Sequence, residues 1–321
     1  MKQISIKNNK ALKAIGILLM LASFLFIGRN IYNSWDSLVT SINKNSVLLS
    51  IALMVMVAAA LWLFAVLYKS LLCAMTGAQI DQNCISLYIR STLYKYLPGN
   101  VMHYVGRNAL IKEGEVSFAQ VNAASVFEVL VNLIAAFLVA ISFSGRLVFA
   151  FLRDHLNHGW LWIIIAVVIV IVLISLLLFR KKLITLFHQM LNNRVIKILF
   201  LMLLVYAAWN ILGNSMVFLI LMSFVPHMSS SAYRMFIGAG TGAWFIGFIT
   251  PGAPGGIGIR EAALNFLISG VAPMWAVSAC GIVSRIAQIL GEVLANITLV
   301  ICKMFKRRLS DRRMEEEGSD E

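Results

Sequence analysis

The residues of this sequence that could do chemistry are charged and amide side chains placed inside long apolar stretches. Glu128, Arg285 and Glu292 each lie within a run of hydrocarbon side chains. An ionised side chain inside a membrane is costly, and it usually faces a polar interior that binds or moves something. The polar positions that recur at helical spacings of three or four residues are Glu128, Asn132, Asn210, Asn214, Arg285, Gln288, Glu292 and Asn296. We interpret them as one polar pathway in which Arg285 pairs with Glu128 or Glu292. Amides that hydrogen-bond packed helices together are the alternative.

A second group of candidates surrounds two breaks in the apolar pattern. The stretch Thr250–Leu264 reads TPGAPGGIGIREAAL, and an earlier stretch contains Pro98-Gly99 followed by Gly106-Arg107. Glycine and proline interrupt helices, and a helix that begins near Ile259 would point its positive end at the break. Guanidinium groups add the paired donors that suit a phosphate. The predicted residues for binding a lipid head group are Arg107, Arg260, Glu261, Gly99, Gly252, Gly255, Gly256 and Gly258.

The two breaks belong to an internal repeat. In each copy an arginine lies nine residues after the proline, and each copy later carries a matching segment, EVLVN from Glu128 and EVLAN from Glu292. The second copy has 11 more residues between its arginine and its glutamate. Each unit has the order span, broken hairpin, span, over residues 46–143 and 197–302, and the flanking basic residues give the units opposite topologies. Inverted repeats with discontinuous helices are a transporter architecture with the substrate site at the repeat interface. A duplicated scaffold with a purely structural role is the alternative.

The composition places these residues in a polytopic membrane protein. The chain of 321 residues is 60% hydrophobic and 13% charged, whereas ordinary globular domains are about 25% charged. The net charge of +13 comes from basic residues at the ends of apolar segments, which indicates cytoplasmic loops rather than nucleic-acid binding. The predicted spans cover residues 14–27, 46–72, 118–143, 160–179, 198–225 and 274–305.

The distribution of positive charge also predicts the topology, with both termini in the cytoplasm. Residues 78–116 must then enter and leave from the cytoplasmic side, and residues 231–272 from the outside, as two broken re-entrant hairpins. The predicted fold is an all-α polytopic membrane protein with an inverted repeat, six full spans and two hairpins, or eight spans if the hairpins cross. A single transmembrane domain covers residues 1–305, a polar loop is expected at 145–159, and the charged tail at 306–321 is predicted to be disordered.

Other kinds of site find no support in the sequence. It contains no Ser/His/Asp set, no paired catalytic carboxylate motif and no Walker loop, and its four cysteines lack metal-ligand spacing. We therefore expect no enzymatic activity, no metal and no cofactor.

The repeated motifs resemble a known family. PGAPGGIGIREAAL from Pro251, the earlier PGN…GRNAL and the surrounding pattern are similar to the lysylphosphatidylglycerol synthase transmembrane-region family, also called flippase-like membrane proteins. The resemblance covers roughly residues 10–305, and it implies a lipid-translocating protein of the bacterial inner (cytoplasmic) membrane. The residues at the family's motif positions are Arg107, Arg260 and Glu261. We expect a standalone member without the soluble aminoacyl transferase domain, so the synthase activity is not carried over.

The leading interpretation is a lipid translocase without an ATP motif. The head group of an anionic phospholipid or a polyprenyl-phosphate-linked lipid would cross through a polar groove between the repeats, while its acyl chains stay in the bilayer. Membrane lipids are then its partners, and transport is facilitated or coupled to an ion gradient. The alternative is a non-transporting lipid-binding partner or scaffold of an envelope lipid or glycan biosynthesis enzyme, docked through the basic loop at residues 180–197. A membrane-embedded transferase is a third class, for which the sequence lacks a nucleophile and base.

Overall fold

Helices account for the regular secondary structure of the part of the chain that the structure describes. The computed structural model describes residues 42–96, 102–107, 116–155, 192–250, 256 and 258–317, with the isolated helical positions 29, 32, 35, 36 and 39. The predicted spans at residues 14–27 and 160–179 lie outside these residues. In chain order the helices are α1 Lys44–Thr76, α2 Asn83–Thr92 with a 3-10 turn at Leu93–Tyr96, α3 Met102–Arg107, α4 Phe118–His155, α5 Asn193–Phe224, α6 Ser230–Ile249, α7 Ile259–Leu267 and α8 Met274–Glu317.

Four of these helices are long and apolar enough to cross a membrane. Their candidate spans are Lys44–Thr76, Phe118–Gly145, Asn193–Phe224 and Met274–Phe305. Large apolar side chains face outward along them, for example Phe200 on α5 and Ile297 on α8. An outward apolar surface along a helix of this length fits a hydrocarbon environment. The chain is therefore an all-helical membrane protein in its described part, as the sequence predicts.

Two helices run further than the sequence predicts. α4 continues through His155, into the polar loop expected at residues 145–159, and α8 continues through Glu317, into the tail expected to be disordered. Residues 146–155 and 306–317 contain no glycine or proline. Without a helix-breaking residue, these segments extend a helix that is already formed.

α1 and α5 lie antiparallel and are joined at both ends. Asn43 caps α1 by accepting from the Ser46 N–H at 2.9 Å, and it donates to the Ser223 carbonyl in the last turn of α5, also at 2.9 Å. Asn192 caps α5 in the same way and donates to the Ala74 carbonyl in the last turn of α1 at 2.8 Å. Each capping asparagine thus connects the start of its own helix to the end of the other.

The long helices pack into two buried apolar clusters toward opposite ends of the α1–α5 pair. One cluster includes Ile80 and Val116 beside the start of α5, and the other includes Phe224 and Ile268 beside the end of α5. α1 packs mainly on α8 and α5, and α4 packs on α5 and α6.

The two segments predicted as hairpins, residues 78–116 and 231–272, pack among these helices in their described parts, and they are termed the first and second hairpin. α2 packs on α1 and α3, whereas α6 packs on α4 and α7. α6 ends at Ile249 and α7 begins at Ile259, so the helices stop and restart where the sequence predicts. The break residues 97–101 and 251–255 lie outside the described residues. Within the described residues, neither hairpin contains a helix that qualifies as a membrane span by length and composition.

Candidate functional site

The polar residues of both hairpins and of the long helices meet around one cavity of about 240 Å³. Ten of the residues predicted from the sequence line it: Arg107, Glu128, Asn132, Asn210, Asn214, Gly256, Arg260, Arg285, Gln288 and Glu292. Aromatic side chains complete much of the wall, among them Phe64, Trp209 and Trp244. Apolar walls with a small number of convergent polar groups are typical of a ligand site.

Arg107, at the end of α3, forms a buried ion pair with Glu128 on α4. One guanidinium nitrogen, Nη1, donates to Glu128 Oε2. The other carboxylate oxygen, Oε1, accepts from the Tyr88 hydroxyl at 2.5 Å and from the Tyr206 hydroxyl at 2.8 Å. The carboxylate therefore receives hydrogen bonds from α2, α3 and α5. Such a network holds three helices to α4 at one point.

Three tyrosines enclose the Arg107 guanidinium. Its central carbon lies 4.6 Å from the ring centre of Tyr68, 4.3 Å from that of Tyr88 and 5.0 Å from that of Tyr104. These distances are within the range of cation–π attraction. The Tyr68 hydroxyl lies 3.0 Å from the Ser125 hydroxyl, one turn before Glu128 on α4. Arg107 is 3% exposed, so its charge is compensated inside the protein by Glu128 and by aromatic faces.

Glu292, on α8, pairs with a residue of the first hairpin. The Lys95 ammonium donates to Glu292 Oε1, and the Asn296 amide, one turn further along α8, donates to the Glu292 carbonyl at 2.9 Å. Asn296 also reaches the Ile89 carbonyl of α2 at 3.5 Å. The first hairpin is thus bound to the last helix through Lys95.

The second hairpin positions Arg260 by a close contact between two backbone segments. Gly256 has φ +68°, and a Cβ atom on it would lie 3.1 Å from the carbonyl carbon of Gly247 on α6. Only glycine at both positions allows the break to approach α6 this closely. The contact brings the start of α7 to the cavity, with Arg260 at the second residue of that helix.

Gly258 and Glu261 organise the start of α7. Gly258 precedes the helix with φ +85°, a conformation that favours glycine. Its N–H donates to Glu261 Oε2 at 2.7 Å, which is the glutamate half of a capping box. Glu261 Oε1 accepts from Arg285 Nε of α8 at 3.1 Å. The prediction that Arg285 pairs with Glu128 or Glu292 is therefore wrong, because Glu261 lies closer on the adjoining helix.

The amides on α5 face the cavity but also hold its walls together. Asn210 donates to the Tyr206 carbonyl at 2.8 Å, and Asn214 donates to the Asn210 carbonyl at 2.8 Å and to the Thr241 hydroxyl of α6 at 3.1 Å. Interhelical hydrogen bonds of this kind are common between packed membrane helices. Asn214 therefore fits the alternative interpretation, in which the amides hydrogen-bond packed helices together.

The remaining predicted residues are distributed as follows. Glu261, Gly258 and Asn296 lie behind the cavity wall and position the residues that line it. Gly99, Gly252 and Gly255 lie outside the described residues. Polar spacing in the sequence does not distinguish Lys95, Tyr68 or Tyr88 as site residues. Lys95 carries the signal that selected Glu128, a charge within an apolar segment, whereas the tyrosines have no spacing that distinguishes them from interface anchors.

Comparison with known proteins does not assign this chain to a family. No protein-family model matches the chain, and neither the curated proteins nor the solved structures give a match. The resemblance to the flippase-like family thus stays an interpretation of the motifs, and the functional conclusion rests on the site itself.

Proposed function

We propose that this protein is an integral membrane lipid translocase that moves an anionic phospholipid or a polyprenyl-phosphate lipid between leaflets. The observation that carries the proposal is that both hairpin arginines, Arg107 and Arg260, and both intramembrane glutamates, Glu128 and Glu292, line one cavity between apolar helices. Charged groups at such a depth usually belong to a substrate or ion pathway.

The balance of charge in the cavity favours an anionic occupant. The described lining contains the cations Lys95, Arg107, Arg260 and Arg285 and the anions Glu128 and Glu292. Adding Glu261, which pairs with Arg285 from behind the wall, leaves four cations against three carboxylates. Among the described groups of the cavity wall, positive charges outnumber carboxylates, which favours a phosphate over an ammonium group.

Within this cavity we assign the phosphate to Arg260. Arg107 is engaged by Glu128 and three tyrosine rings, so its contribution is to hold the first hairpin in place. Arg260 is half-buried at the start of α7, where backbone N–H groups and the helix dipole also favour an anion. A planar guanidinium can bind two phosphate oxygens at once.

An inverted repeat is part of the same proposal, and several observations support it. A two-fold rotation that relates the two units would superimpose α1 on α5 and α4 on α8. It would also relate the α1–α8 contact to the α5–α4 contact, and both contacts are extensive. The reciprocal bonds of Asn43 and Asn192 fit a two-fold axis between α1 and α5. The head group would then cross between the two units while the acyl chains remain in lipid, with hairpins that enter from opposite sides.

Leaflet exchange by the purified protein tests the proposal. In proteoliposomes that contain a trace of labelled anionic phospholipid, we expect Arg260→Ala to slow exchange about 10- to 100-fold, the loss expected for hydrogen bonds to a charged group. Arg234→Ala is the matched control, because Arg234 is exposed at the start of α6 in the same unit.

Two results would each contradict a part of the proposed function. Exchange by Arg260→Ala at the wild-type rate would contradict the assignment of the phosphate. Exchange by wild-type protein no faster than in protein-free vesicles would contradict translocation of an anionic phospholipid and favour the lipid-binding partner of an envelope enzyme.

A further inference from the structure

One carboxylate oxygen at the cavity wall is not satisfied. Glu292 is 4% exposed, and its Oε1 accepts from the Lys95 ammonium. Its Oε2 is buried and has no hydrogen-bond partner among the described residues. A buried acceptor without a donor carries a desolvation penalty. Glu292 lines the cavity, so a small rotation of its carboxylate would present this atom to a donor on the molecule that occupies the cavity.

The electrostatics of the wall indicate that this donor is uncharged. Lys95 already provides the positive charge that compensates Glu292. The described cavity lining also carries more arginine and lysine than glutamate. An ammonium group would therefore enter a site with a cation already beside the carboxylate. A hydroxyl group donates the missing hydrogen bond without adding charge.

We propose, resting on the proposed function, that the preferred lipid carries an anionic phosphodiester head group with a free hydroxyl. The phosphate binds Arg260 and the hydroxyl donates to Glu292 Oε2, so two groups of the cavity wall recognise different parts of one head group. The cavity volume of about 240 Å³ suits a small polyol.

A pair of lipids with the same charge separates the hydroxyl from the phosphate. Phosphatidylglycerol and phosphatidylmethanol are both monoanionic phosphodiesters, and only the first has head-group hydroxyls. In proteoliposomes with wild-type protein we expect phosphatidylglycerol to exchange about tenfold faster than phosphatidylmethanol, the ratio expected for one hydrogen bond to a charged acceptor. Phosphatidylethanolamine, which carries an ammonium group, should be the slowest of the three.

Paired substitutions locate the preference at Glu292. The double variant Lys95→Met/Glu292→Leu removes both charges together, so neither is left uncompensated. We expect its rates for phosphatidylglycerol and phosphatidylmethanol to become equal. Lys95→Met/Glu292→Gln keeps an acceptor oxygen of similar shape, and it should retain a preference of about threefold, as expected for a neutral hydrogen bond. The ratio of two lipids within one variant is independent of the amount of folded protein.

The outcomes separate the two proposals. Equal wild-type rates for phosphatidylglycerol and phosphatidylmethanol would overturn the hydroxyl preference while leaving translocation intact. The fastest exchange with phosphatidylethanolamine would overturn it in favour of an ammonium ligand. A preference that survives in Lys95→Met/Glu292→Leu would overturn the assignment to Glu292. Exchange of none of the three lipids would contradict phospholipid translocation, the part of the proposed function on which this inference rests.

Discussion

At the scale of single residues, Arg107 and Glu128 illustrate how charge is retained inside an apolar helix bundle. The carboxylate accepts from the guanidinium and from two tyrosine hydroxyls, and aromatic faces cover the cation. A buried ion pair contributes little net stability when compared with apolar residues of the same volume, because desolvation opposes the attraction. Removing one partner is different, since the other charge then stays buried and uncompensated.

This asymmetry predicts the behaviour of substitutions at the pair. We expect Glu128→Gln to lower the free energy of unfolding by about 3–5 kcal/mol, measured by chemical denaturation in mixed micelles. The double variant Arg107→Met/Glu128→Gln should be more stable than Glu128→Gln alone. Asn122→Ala is the control on the same helix, because the Asn122 amide donates to the Phe118 carbonyl one turn earlier. A double variant that is no more stable than Glu128→Gln alone would contradict the compensation of Arg107 by Glu128.

At the scale of helices, glycine determines how closely α8 approaches α1. A Cβ atom on Gly291 would lie 2.6 Å from the Met54 carbonyl oxygen and 2.7 Å from the Val57 Cβ. Helices in membranes commonly associate through small residues of this kind, since packing replaces the hydrophobic driving force. Gly291 directly precedes Glu292, so the close contact also sets the depth of that carboxylate in the bundle.

Two glycine substitutions test this contact against helix propensity. We expect Gly291→Ala to lower stability by about 1–3 kcal/mol through overpacking, with a lower midpoint of thermal unfolding in detergent. Gly145→Ala is the matched control, because its Cβ would meet the nearest side chain, Ile141, at 3.7 Å. In a helix that continues through His155, this change should be neutral or stabilising by up to about 1 kcal/mol. A destabilising Gly145→Ala would argue against the continued helix.

At the scale of the whole molecule, the proposed inverted repeat predicts that the two hairpins open to opposite sides of the membrane. The loop after α1 and the start of α4 share one buried cluster, and α7 and the start of α8 share the other. The antiparallel α1–α5 pair separates these clusters along its length.

Labelling of single cysteines tests the orientation. In a chain whose four native cysteines are replaced, Gln79→Cys and Ser269→Cys place thiols at exposed loop positions of the first and second units. A membrane-impermeant thiol reagent should label Ser269→Cys in intact cells, and should label Gln79→Cys only after permeabilisation. Reaction of both thiols from the same side would contradict the inverted repeat, and the reverse pattern would overturn the orientation predicted from basic residues.

The helices and their interruptions follow from the sequence alone, because the properties that produce them are local. Apolar runs of sufficient length predict the spans, as at residues 46–72 and α1. Glycine and proline predict the breaks, as at the start of α7. The ends of α4 and α8 are less predictable, since charged residues without glycine or proline are compatible with either a loop or a continued helix.

The pairing of charges was decided only by the tertiary structure. The sequence shows that Glu128, Glu292 and Arg285 are intramembrane charges, and their spacing indicates a shared interior, but spacing contains no information about partners on other helices. Packing of α3 on α4, of α2 on α8 and of α7 on α8 selects Arg107, Lys95 and Glu261 as those partners. The helix positions thus come from local hydropathy, whereas the chemistry of the cavity comes from which helix faces meet.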